Sequence, residues 1–218
     1  MPFCRLSLNL LPKNLLLKTS ELDKAVWNYK PVLGFIQRQR FRLIKQLLTA
    51  QQYNRILEVG YGSGIFIPEL QKYCHEIYGI DIHHEHKKII DLLKKIKIDA
   101  KLIRASATAI PFDQDYFDCI IAVSAIEFIK DLDKAFLEFK RVLKSNGCLI
   151  FVTPGHSKVV DLGLKLLTGE KAEDNYGDRR QYLHKSLTDY FEVQKKITFP
   201  GFKTSAFLLY SAYRLKPK

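Results

Sequence analysis

The stretch Leu57–Phe66, LEVGYGSGIF, most narrowly limits what this chain can fold into. The apolar run Arg55–Val59 (RILEV) carries Glu58 near its end. Gly60, Gly62 and Gly64 then fall at every second position before apolar residues resume. A run of this length bounded by turn residues reads as a buried strand. Glycine adopts backbone conformations closed to other residues and lets amides approach a ligand closely. A strand feeding a ligand-binding turn and then a helix is therefore expected. Ile65–Lys72 supplies the helical character, with Pro68 where a first turn tolerates it.

The alternation continues along the chain. Glu76–Asp81 is strand-like, and the segment from His84 to Ile96 places Ile89, Leu92, Leu93 and Ile96 at helical spacing. Ala100–Ala105 and Phe117–Ala125 read as strands, the second a continuous β-branched run of the kind buried in parallel sheets. Leu132, Ala135, Phe136, Phe139 and Leu143 mark one helix face, expected to stop at Asn146-Gly147, and Cys148–Thr153 is the next strand. Upstream, Phe35–Leu48 has helical spacing at Phe41, Ile44 and Leu48. The end of the chain changes rhythm. Phe191–Phe199 alternates with period two, Pro200-Gly201 turns, and Ala206–Leu215 runs extended. The fold class expected is α/β: a Rossmann-like, doubly wound sheet, mostly parallel, with a C-terminal antiparallel hairpin.

At 218 residues, the chain suits a single domain. The expected parts are an N-terminal helical arm (1–50), a ligand-binding core (51–154), a substrate lid (155–189) and a closing hairpin (190–218). No apolar run approaches the length of a membrane span. The leucine-rich start is interrupted by Asn9, Pro12, Lys13 and Asn14 and lacks a small-residue cleavage site, so no secretory signal is expected. The four cysteines are scattered, without a CxxC pair, which suits reduced thiols in a cytoplasmic protein. Lysine and arginine number 35 against 23 acidic residues, a net +12 spread along the chain. That charge is compatible with nucleic acid, an anionic membrane surface or acidic substrates and selects none of them.

Two readings of the glycine turn compete on spacing. A dinucleotide site wants G-x-G-x-x-G, but its third glycine falls on Ile65. E-V-G-Y-G-S-G instead resembles the first motif of class I S-adenosylmethionine (SAM)-dependent methyltransferases, (D/E)-x-G-x-G-x-G. The resemblance covers about Arg55–Pro154 and includes RASATAIPFDQDYFDCII and EFKRVLKSNGCLIFVTP. It implies SAM as cofactor, held by Glu58, Gly60, Tyr61, Gly62, Gly64, Asp81, Ile82, Ser106, Ala107 and Val123. Asp81, at the end of the second strand, would accept from the ribose hydroxyls. Ser106 stands where the family often has an acidic partner for the adenine, and Asn146 replaces a glycine of the family's helix–turn–strand.

Methyl transfer from a sulfonium asks mainly for positioning and exclusion of water, so the family implies no fixed catalytic residue. Glu127 and His156, following the fourth and fifth strands, are the candidate bases, each weighed against a structural role. Arg179, Arg180, Tyr182 and His184 in the lid are candidates for acceptor recognition. Trp27 and Tyr29 either cover the cofactor or pack the first helix. His83, His84 and His86 flank Glu85, but HHEH is not a metal-binding spacing, and no metal is expected. The expected activity is methyl transfer to a small-molecule or lipid acceptor. An RNA or protein methyltransferase and a non-catalytic SAM-fold binding protein are the rivals. Against the first rival, Ser124-Ala125-Ile126-Glu127 stands where base N-methyltransferases carry an Asn/Asp-Pro-Pro motif.

Overall fold

The computed structural model describes residues 7–21, 23–48, 52–155, 179–201 and 208–218. After short 3-10 turns at Lys13–Leu15 and Ala25–Tyr29 comes helix α1, Pro31–Leu47. It starts before the expected Phe35 because Pro31 has a preset φ and occupies a first-turn position needing no N–H donor. There follow β1 (Tyr53–Val59), the short α2 (Ile67–Leu70), β2 (Cys74–Asp81), α3 (His86–Lys95), β3 (Ala100–Arg104) and β4 (Phe117–Val123). Then come α4 (Leu132–Val142), β5 (Leu143–Pro154), α5 (Arg179–Tyr190), β6 (Phe191–Phe199) and β7 (Tyr210–Pro217).

The seven strands lie in the order β3-β2-β1-β4-β5-β7-β6. Strands β1 to β5 pair in parallel, and β7 runs antiparallel between β5 and β6. The expected fold class holds. Residues alternate between two buried faces, as a doubly wound sheet requires. Cys119 and Ile121 of β4, with Ile150 and Val152 of β5, join the core under α1 and α3. Ile120, Ala122, Leu149 and Phe151 join the opposite core, with Phe136 and Phe139 of α4 and Leu183 and Leu187 of α5. The winding reverses between β1 and β4, so the turns leaving their C-terminal ends part and open a crevice.

One boundary departs from expectation. Asn146-Gly147 does not end α4, which stops at Val142; Leu143 already belongs to β5 and pairs with Phe117. The register then jumps to Cys119–Cys148, leaving Lys144–Gly147 as a bulge. Lys144 Nζ pins it to Asp118 at 2.6 Å. A Cβ on Gly147 would stand 2.9 Å from the Lys144 carbonyl oxygen, so the glycine serves the bulge. Cys74, Cys119 and Cys148 are buried free thiols.

Candidate functional site

The three glycines of the β1 turn all have positive φ, +74°, +51° and +71°, but they meet different surroundings. Gly60 donates to the Ile80 carbonyl at 2.9 Å, and a Cβ there would lie 2.5 Å from the Ala125 Cβ. Glycine is thus what lets the ends of β1 and β4 approach. Gly62 has open space, with nothing nearer than Asp23 at 3.9 Å, and its need is purely conformational. Gly64 faces away, toward Ile89 Cγ2 at 3.1 Å and Ile67 Cδ1 at 3.3 Å. It lets α3 pack, and it does not line the cavity described below.

The end of β2 grips this turn on both sides. Asp81 Oδ2 accepts from the Gly62 N–H at 2.9 Å, and Oδ1 from the His83 N–H at 3.3 Å. His83 Nδ1 accepts from the Glu85 N–H at 3.0 Å, which leaves the ring proton on Nε2, 3.0 Å from the Gly62 carbonyl oxygen. His83, weighed in the sequence only as a metal ligand, is a latch on the loop. Tyr61 packs edge-on against it at 5.0 Å, over Gly79, where a Cβ would lie 2.7 Å from the Tyr61 ring.

A cavity of about 710 Å³ opens at these strand ends. From β1 and its turn it is lined by Glu58, Gly60, Tyr61 and Gly62, from the end of β2 by Asp81 and Ile82, after β3 by Ser106 and Ala107, and from β4 by Val123. Ile82 projects into it 72% exposed. Ser106 Oγ shares a 2.8 Å hydrogen bond with Thr108 Oγ1. Glu58 is 3% exposed, and its Oε2 has no hydrogen-bond partner. Burial first, and the Asp81 charge second, push its carboxyl up to about 8. An acid so placed favours a cationic partner that would donate to the bare oxygen.

The opposite wall comes from the N-terminal region. Trp27 lines the cavity, whereas the Tyr29 hydroxyl donates to the Leu11 carbonyl and holds the leading segment down. Gln37, Arg40 and Phe41 of α1 complete this wall, and sequence reasoning assigned none of them to the site, reading Phe41 only as part of the helix's apolar face. The available signal was a glutamine in phase with Phe41 and Ile44 on the buried stripe of α1. Glu127, in the 3-10 turn Ile126–Phe128, is 1% exposed and does not line the cavity, while its neighbour Phe128 does. His156 lies outside the described residues. Arg179, Arg180, Tyr182 and His184 belong to the backbone of α5, and their side chains lie outside the description. Among the described residues no cluster suits a metal ion, and no helix is long and apolar enough to cross a membrane.

The strand order, the antiparallel seventh strand and the glycine turn at the switch point define a Rossmann-like domain with its crevice over β1 and β4. Residues 57–151 match the methyltransferase domain family. An uncharacterized protein of Methanocaldococcus jannaschii is 34% identical over 151 residues, 69% of this chain and 67% of that protein. The malonyl-[acyl-carrier protein] O-methyltransferase of Legionella pneumophila is 28% identical over 171 residues, and the chain spans 59% of its length. The N-methyltransferase NodS of Bradyrhizobium japonicum, solved with S-adenosyl-L-homocysteine, superposes with a TM-score of 0.62 at 16% identity, covering 92% of this chain and 94% of that one. The chain belongs to the class I SAM-dependent methyltransferases, enzymes whose cofactor and methyl donor is SAM.

Proposed function

We propose that this cavity holds SAM between the β1 turn and the end of β2 and offers its methyl group to a small-molecule or lipid acceptor entering beside α1. The observation that carries the reading is Glu58. It is a buried carboxylate with a donorless oxygen, and a cationic ligand would relieve both its desolvation and its repulsion from Asp81. The residues present fit the cofactor in charge and shape. Bound there, SAM supplies a methyl group on an already activated sulfonium. Glu58 would hold its ammonium end, and Asp81, with lone pairs beyond those used by Gly62 and His83, would accept from the ribose hydroxyls. Ile82 and Ala107 would flank the adenine, with Ser106 at its edge and Val123 beneath the ribose. Gly60 and Gly62 allow close approach, and the walls exclude water from the displacement. For an acceptor that must lose a proton, His156 is the proposed base, while Glu127, buried and off the cavity wall, would have to act through an intervening group.

Support for a lipid-like acceptor comes from the surface next to α1. Val26, Val32 and Phe35 are 46%, 68% and 51% exposed there. Lys24 and Lys30 lie over the Trp27 ring and Arg42 over Phe35, a mixture suited to peripheral contact with an anionic membrane. Calorimetric titration with SAM and S-adenosylhomocysteine tests the cofactor site. Micromolar binding by the wild type, weakened at least about tenfold in a folded Asp81→Ala variant, is the expected result. No binding to the folded wild type would sink the reading.

A further inference from the structure

Helix α1 brings into the cavity wall a cation, Arg40, that makes no salt bridge among the described residues. Arg40 Nε donates to the Gln37 carbonyl oxygen at 3.1 Å, and the guanidinium packs over the Phe41 ring at 5.3 Å. Its terminal nitrogens have no partner among the described residues, and neither has the Gln37 side-chain amide beside it. Other basic side chains of the same helix are engaged: Arg38 donates to the Asn28 carbonyl, and Lys45 pairs with Glu69. Of the basic side chains of α1, Arg40 is the one that lines the cavity, with Gln37 beside it. An unpaired guanidinium in a partly desolvated wall is a costly placement unless a ligand completes it.

Its position within the cavity says which ligand. Helix α1 packs on β7, β5, β6 and β4, across β1 from β2, which ends at Asp81, and from β3, which Ser106 follows. Burial is what chiefly pushes up the Tyr210 hydroxyl, at the head of β7 and opposite Pro154; the nearby Arg40 charge pulls it down and that of Glu127 pushes it up. Arg40 therefore stands at the β4–β5 end of the cavity, opposite the ribose end, with apolar Phe41 and Phe128 in the same wall. A guanidinium presents two parallel N–H groups that match a carboxylate, and a wall of low polarity strengthens the pair.

Resting on the cofactor reading above, we infer that Arg40 and Gln37 anchor a carboxylate on the methyl acceptor, so that the acceptor is an amphipathic carboxylic acid with its apolar part against Phe41 and Phe128. The test uses protein saturated with S-adenosylhomocysteine, titrated calorimetrically with octanoate and with 1-octanol. The wild type is expected to bind octanoate at least about tenfold tighter than the alcohol. Arg40→Gln should abolish that preference while leaving the affinity for S-adenosylhomocysteine unchanged. Equal binding of acid and alcohol by the wild type overturns the inference. So does a loss of S-adenosylhomocysteine affinity in Arg40→Gln, which would assign the arginine to the cofactor's own carboxylate. Failure of the wild type to take up S-adenosylhomocysteine at all is a separate result, and it removes the cofactor reading together with the inference built on it.

Discussion

Burial and the Asp81 charge raise the Glu58 carboxyl to about 8 from its ordinary 4.5, so the ligand-free protein holds it largely protonated near neutrality. Between those values the folded state keeps a proton that the unfolded chain has lost, and stability falls as pH rises through that window. A cationic cofactor reverses the preference by favouring the ionised acid. SAM affinity should therefore climb from pH 6 to pH 8, approaching roughly tenfold per unit, with protons released on binding. In Glu58→Gln the profile should be flat. Calorimetry in buffers of different ionisation enthalpy would show this, and a flat wild-type profile would mean that Glu58 does not face the ligand. At this scale the sequence disclosed the acid and the glycines but not their separate tasks. Gly64 differs from Gly62 only through Ile89 and Ile67, and the His83 latch depends on a carbonyl 21 residues earlier.

Between elements, a buried ionic staple ties α1 to α2 and to the leading segment. Glu69, 1% exposed, meets Lys45 at 2.6 Å, the Asn9 N–H at 2.6 Å and Lys72 at 3.0 Å. Burial is the largest single influence and pushes its carboxyl up. Lys45, Asn9 and Lys72 together outweigh it and hold the group below the ordinary carboxylate range. The stability it contributes is present above that ordinary range and is lost as pH falls through the lowered folded value. Lys45→Met leaves a buried carboxylate short of its main partner. It should cost about 3 kcal/mol in denaturant unfolding at neutral pH, and less in acid. A cost unchanged in acid would exclude the ionic explanation. Periodicity disclosed α3 and α4, whose buried residues follow helical spacing, but not the end of α4. There, pairing of Leu143 with Phe117 overrode a local Asn-Gly signal.

Across the whole molecule, β7 is the strand on which closure of the sheet depends. Late in sequence, it lies between β5 and β6, with Ala212 and Leu215 fully buried. Arg214 reaches from it to the Leu47 carbonyl at 3.1 Å and the Tyr53 hydroxyl at 3.0 Å, joining β7 to the end of α1. A chain ended after Gly201 should lose cooperative thermal unfolding followed by circular dichroism, although β1 to β5 remain intact in sequence. Retention of a sharp transition would show that the five parallel strands fold without it. The outer strands β3 and β6 carry exposed charges, among them Lys101, Arg104, Lys195 and Lys196, which discourage edge-to-edge pairing.

The sequence by itself determined the winding of the sheet, the glycine turn, and the acids Glu58 and Asp81 at successive strand ends. Those signals are local: period, turn residues and spacing operate within a few positions of one another. What only the tertiary structure decided was the far wall of the cavity. Gln37 and Arg40 precede the glycine turn by some twenty residues and join it only because α1 folds back over β4, β5, β7 and β6. Side-chain contacts of that kind arise from packing across the sheet; the pattern along the chain marks Gln37 as part of the buried stripe of α1 but not what that stripe meets.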